Sequence, residues 1–210
     1  MLYLTSIFVL AAIVAVINAI FVAPAYGMNG WLLVLYVAVS VVGVIAIDGV
    51  FATLVRWVLP KKFFGVDKKR FAAGRRECRF YEKIGIKRWK DKVLELGVFT
   101  AFSKKKIADP TNNEYVSRYI IEANYGIAVH AACSLFGFLV CLFFPRFWYS
   151  VGIPVAVVNM FYNNLSLHIL RYNLPKLHTL YRINEKREKR KAVKDTSGDS
   201  SAESDDVKTA

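Results

Sequence analysis

No charged side chain precedes Asp48, only three cysteines and three histidines occur in 210 residues, and glycine and proline are sparse at 12 and 6. Each scarcity excludes something. A charge-free stretch of that length cannot form the surface of a water-soluble domain, and it exceeds the roughly 20 residues that cross a hydrocarbon core. Cys78, Cys133 and Cys141 form no cluster at ligand spacing with one another and the three histidines. Neither a disulfide framework nor a metal site is therefore expected. HEXXH, GXSXG and a phosphate-cradling glycine loop are all missing. Motif-based support for protein or nucleotide hydrolysis goes with them.

What is present is apolar and basic. The chain is 55% hydrophobic and yet carries a formal charge of +13, so the two kinds of residue are segregated. After the first charge-free run come two more, residues 123–145 and 147–170. The pattern predicts an all-α integral membrane protein with about four transmembrane helices, near residues 2–22, 31–57, 118–144 and 148–170. They pair as two hairpins, turning at "APAYGMNG" and "FPRF". A cleaved leader is the other reading of the first span, but it lacks a basic start and its apolar run is longer than the usual core of about 7–15 residues.

Residues 61–118 hold 17 of the 29 Lys and Arg and the region after Leu170 holds 10, whereas the two short turns hold only Arg146. By the positive-inside bias, both termini and the central segment are expected to be cytoplasmic in a multi-pass protein of the cell membrane. Residues 1–182 then form one membrane domain with an interfacial segment at 61–117. The tail at 183–210, ending "DTSGDSSAESDDVKTA", has a disordered composition. Within the central segment, "DKKRFAAGRRECRFYEKIG" presents Phe71, Phe80 and Tyr81 among basic residues, as a helix lying on anionic lipid would. The apolar stretch "VLELGVFTAF", residues 93–102, is too short to span and is expected at the interface.

Polar residues inside apolar runs are costly and therefore informative. Glu122 lies about one turn and His130 about three turns into the third span, and Asp48 sits at a depth similar to His130. The fourth span carries Asn159, Asn163, Asn164 and His168, and Asn164, His168 and Arg171 share one helix face. Asn124 and Asn159 read as packing hydrogen-bond groups. Glu122 reads equally as a partner of Arg118 one turn back. His130, midway through a span, reads as a functional base with Asp48 as the partner that orients its ring.

A buried base beside a carboxylate suits deprotonation of a hydroxyl that attacks an activated carbonyl. Asn163 or Asn164 offers donors for the oxyanion. Lys90 and Arg171 suit the phosphates of an acyl donor or of a lipid headgroup. The residues alone leave open a lipid-binding subunit, a small transporter and a membrane methyltransferase.

Three blocks, "PKKFF", "FYEKIGIKRWKDKVLELG" and "NNLSLHILRYNLPKL", together with the Glu122 to His130 spacing, narrow the choice. Over roughly residues 60–177 the chain resembles the glycosyl-4,4'-diaponeurosporenoate acyltransferase family. Its members esterify the sugar of a glycosylated carotenoid acid with a fatty acyl group, towards staphyloxanthin-type pigments. The resemblance is carried by Arg88, Trp89, Lys90 and Asp91, by Glu122 and His130, and by Asn163 with Arg171, Tyr172, Asn173 and Pro175. It implies an enzyme with no bound cofactor or metal and an activated fatty acyl donor, such as acyl-CoA, as co-substrate. The bilayer, a glycosylated lipid acceptor, and a further copy or another carotenoid-pathway enzyme are the implied partners, with no nucleic acid. On chemistry and position, His130, Glu122 and Asn163 are the expected catalytic residues, and Arg88, Trp89, Lys90, Asp91, Arg171, Tyr172 and Asn173 the expected substrate-binding ones. Asp48 lies outside the resembling region.

Overall fold

In hydrocarbon every backbone N–H and C=O must be bonded within the chain, so the charge-free runs fold as helices. The computed structural model describes residues 2–93 and 109–202, and among these the regular structure is entirely helical. Helix α1 (Leu2–Ile17) continues through a π-helical turn (Asn18–Val22) into the short α2 (Ala23–Ala25). Gly27, at φ 63°, supplies the left-handed step of the turn that follows. Helix α3 (Gly30–Val58) opens with Asn29 Oδ1 accepting from the Trp31 N–H at 3.0 Å. It stops at Leu59 and Pro60. In the central segment lie α4 (Arg75–Lys83) and α5 (Ile86–Trp89), joined at Gly85 with φ 74°. Helix α6 (Asn113–Phe136) is capped by Asn112 and runs on as a 3₁₀ helix (Gly137–Leu142). Helix α7 spans Ile153–Ala202.

Four helical stretches are long and apolar enough to cross a membrane: Thr5–Ala25, Gly30–Val58, Asn113–Leu142 and Pro145–Val193. Their outer faces carry exposed Phe8, Val42, Ile45 and Leu142, the surface that lipid rather than water covers. Exposed Trp31 and Trp57 mark the two ends of α3. At 1.5 Å per residue they stand roughly 39 Å apart, close to a bilayer with its interfacial layers. The first stretch is built into the bundle: buried Asn18 donates to Ser150 O at 2.8 Å, and Tyr162 Oη donates to Ser6 Oγ at 2.6 Å.

Three features differ from expectation. The third long helix begins at Asn113, because Asn112 caps it there. The fourth does not end near residue 170 but continues as helix to Ala202, so the part of the expected disordered tail up to that residue is helical. "EKREKRK" is rich in strong helix formers, and Glu185 pairs with Lys189 one turn on at 2.8 Å. Residues 203–210 lie outside the described residues, as does nearly all of the expected interfacial stretch at 93–102. Finally, Phe71, Phe80 and Tyr81 do not share a face. Phe71 and Tyr81 are buried in different clusters and Phe80 is exposed, because a 3₁₀ turn (Lys69–Phe71) and Gly74 break the helical register between them.

Residues 60–93 dock on α6 and α7. Phe64 is fully buried against Tyr125, ring centroids 3.8 Å apart, and its carbonyl accepts from Asn124 Nδ2 at 3.0 Å. Phe71, Val116, Ile120, Leu170 and Leu174 complete that cluster. A second cluster joins Ala73, Tyr81 and Ile86 to Ile169 and Tyr172 on α7. Pro175 makes this docking specific. Lacking an N–H, it leaves the carbonyl of Arg171 without its helical partner, and Ala73 N–H donates to that carbonyl at 3.0 Å.

Candidate functional site

Asp48 on α3, His130 and Cys133 on α6, and Asn159 and Asn163 on α7 converge inside the bundle. Asn163 links the acid to the base. Its Nδ2 donates to Asp48 Oδ2 at 3.0 Å, and its Oδ1 lies 2.8 Å from His130 Nδ1. Asn159 Nδ2 donates to Asp48 Oδ1 at 3.2 Å and to the Cys133 carbonyl at 3.4 Å. Both Asp48 oxygens therefore accept amide N–H bonds. This fixes Asn163 with its NH2 toward the acid and its carbonyl toward the imidazole. A carbonyl oxygen only accepts, so His130 Nδ1 carries a proton, and in the neutral ring Nε2 carries the lone pair. Gly137 permits the convergence: a Cβ there would collide with Asn159 Nδ2.

Asp48 thus orients the His130 ring through Asn163, where a direct contact was expected. Asn163, expected to serve an oxyanion, has its NH2 turned toward Asp48 and Asn159. Asn164 bonds back to Met160 O at 2.8 Å. Glu122, eight residues and about 12 Å up the helix from His130, pairs with Arg56 at 2.7 Å. That guanidinium also lies 5.2 Å from the Tyr125 ring centroid. Asn124 is a packing group, as its bond to Phe64 O shows.

A second polar cluster joins α4 to α7. Arg171 donates from Nε and Nη2 to the two oxygens of Glu77 at 2.7 and 2.8 Å. Those bonds hold the Glu77 carboxyl down at about 2, against the opposing push of partial burial, with the Tyr81 hydroxyl helping. Burial first, and the hydrogen bond to Glu77 second, push the Tyr81 phenol up to about 12. Tyr81 Oη donates to Glu77 and lies 3.3 Å from His168 Nδ1. Since the phenol proton goes to the carboxylate, His168 Nδ1 is the donor in that pair and its Nε2 the acceptor.

The remaining expected binding residues surround this cluster. Tyr172 is buried, donates to Glu82 at 3.0 Å and has Lys176 Nζ 4.5 Å from its ring centroid. Trp89 packs on the Ala73, Tyr81 and Ile86 cluster. Arg88 and Asp91 are exposed, and Lys90 and Asn173 half-buried. Arg171 is committed to Glu77 and, through its own carbonyl, to Ala73. Sequence reasoning missed Glu77 and Tyr81. The available signal was an acid flanked by arginines, Glu77 in "RRECR", with a tyrosine one helical turn on.

Among the described residues no group of three His, Cys, Asp or Glu is placed to hold a metal ion. The arrangement provides bases with fixed tautomers, one deep in the bundle and one nearer the basic segment. No curated protein and no solved structure matches the chain. Residues 60–183, more than half of the chain and including His130, Asn163, His168 and the Pro175 docking element, match one family. By that match the chain belongs to the glycosyl-4,4'-diaponeurosporenoate acyltransferase (CrtO) family.

Proposed function

We propose that this membrane acyltransferase esterifies a sugar hydroxyl of a glycosylated carotenoid acid with a fatty acyl group, with His130 as general base. The Asp48–Asn163–His130 relay carries the proposal. With Nδ1 protonated and held by Asn163, Nε2 takes the proton of the acceptor hydroxyl as its oxygen attacks the acyl carbonyl. The tetrahedral intermediate collapses, the bond to the donor's leaving group breaks, and the imidazolium returns its proton to that group. Asn163 and Asp48 position the ring and hold its tautomer. A fatty acyl-CoA supplies the leaving thiolate, and both substrates reach the site from the bilayer or its basic surface.

Topology belongs to the same reading. The spans pair as two hairpins, with both termini and the segment at 61–117 on the cytoplasmic side, in keeping with 17 Lys and Arg in residues 61–118. Exposed Arg75, Arg76 and Arg79 on α4 face the anionic leaflet there. Glu122 with Arg56 anchors α6 to α3, and Arg171 with Glu77 holds the central segment over the site.

One observation favours a second reading. His168, bonded to Tyr81, has the same tautomer and lies nearer the basic segment. The purified full chain in nanodiscs, given acyl-CoA and the glycosylated carotenoid acid, separates the two by the rate of free thiol release coupled to ester formation. Loss by about 10²–10⁴-fold in His130→Ala, the range of general-base catalysis, with His168→Ala retaining turnover, is the expected result. The reverse pattern assigns the base to His168. Full activity in both variants removes histidine catalysis and leaves a lipid-binding subunit.

A further inference from the structure

We propose that the pocket between residues 66–69 and the C-terminal part of α7 binds a phosphate group presented at the membrane surface, on a phospholipid headgroup or on a phosphate-bearing acyl carrier. The pocket has a volume of about 340 Å³, and its polar lining is Asp67, Lys69, His178, Tyr181, Arg182 and Glu185. That volume lies at the small end of ligand sites, which run about 300–1,000 Å³. It suits a headgroup rather than an acyl chain.

The charges in it are unevenly committed. Asp67 is bonded to Lys68 at 2.7 Å and Glu185 to Lys189 at 2.8 Å. Among the described residues, Lys69 and Arg182 have no ion-pair partner. Two cations without an ion-pair partner thus line one small pocket whose carboxylates are each paired with a lysine. A group with several anionic oxygens satisfies both: a guanidinium takes two oxygens side by side, and an ammonium takes one as a point charge. A sugar leaves both cations unpaired, and a cation is repelled.

The site is distinct from the relay. His178 follows Asn163 by 15 residues on the same helix, about 22 Å along its axis. The backbone holding Lys69 is anchored from within, since the preceding Phe64 is fully buried and Lys69 N donates to Asp67 O at 2.9 Å. The inference does not depend on acyl transfer, because binding is measured without turnover.

The test uses the full chain in dodecyl maltoside, a phosphate-free detergent, titrated calorimetrically with non-acylated coenzyme A and, separately, with short-chain phosphatidylglycerol. A Lys69→Gln/Arg182→Gln variant is compared with Lys61→Gln/Lys62→Gln, which removes the same charge from exposed positions outside the pocket. The expected result is saturable binding of at least one probe, with Kd raised tenfold or more in the pocket variant and less than threefold in the control. Coenzyme A alone identifies an acyl-carrier site, and phosphatidylglycerol alone a headgroup site. Binding of neither probe, or equal loss in both variants, overturns the proposal.

Discussion

Replacing Asn163 by leucine, close in size and unable to hydrogen-bond, tests whether the relay acts as one unit. The substitution removes the 3.0 Å bond to Asp48 and the 2.8 Å bond to His130 together, while Asn159 still serves Asp48. A buried hydrogen bond lost from one partner costs about 1–3 kcal/mol. If that energy is what favours the Nδ1–H tautomer, the ratio of the two tautomers shifts against Nε2 as base by about 5- to 150-fold, at roughly 1.4 kcal/mol per factor of ten. The expected outcome in nanodiscs is a fall in kcat, bounded above by that factor, with KM little changed. His130→Ala falls further, by about 10²–10⁴-fold. The double variant should be no slower than His130→Ala alone, because a base that is absent cannot be positioned. Multiplicative losses in the double variant, or full activity in Asn163→Leu, would refute the relay.

Three further outcomes follow from the geometry. Pro175→Ala restores a backbone N–H that competes with Ala73 for the Arg171 carbonyl, so amide exchange across residues 66–86 should quicken while the long helices keep their protection. The Glu77 carboxyl is depressed in the folded protein to about 2 from an ordinary value of 4.5. Its bridge to Arg171 therefore stabilises fully above pH 4.5 and is lost as pH falls through about 2. Glu77→Gln should abolish that acid-dependent loosening of α4, read by tryptophan fluorescence at Trp89 with the other three tryptophans replaced. Gly137→Ala drives a Cβ into Asn159 Nδ2. Thermal stability should drop by about 1–3 kcal/mol, with activity falling more than in Gly49→Ala, where a Cβ meets open space.

The spans were legible because charge-free runs longer than about 20 residues have few alternatives. Much of the deep site was legible too: Asp48, His130 and Asn163 stand out as polar groups in apolar helices. Their wiring was not. Depth along a helix can be counted in residues, but the rotation of α3 against α7 depends on Gly137 allowing close approach, and that contact is tertiary. The motif at Arg171 to Pro175 was visible as a pattern and misread as anion binding. Its arginine faces Glu77, an acid that a basic segment hides in composition. The end of α7 escaped because a charged run has two readings, solvated coil or salt-bridged helix, and only the Glu185 to Lys189 pairing decides between them.

Acyl transfer governed by His130 is the central claim, and lipid mass spectrometry of cells tests it most directly. Cells supplied with a glycosylated carotenoid acid would express either the unaltered chain or His130→Ala, with membrane insertion of both verified. A carotenoid glycoside heavier by one fatty acyl group is expected from the unaltered chain and only traces of it from the variant. Equal amounts of that ester from both proteins would contradict that claim.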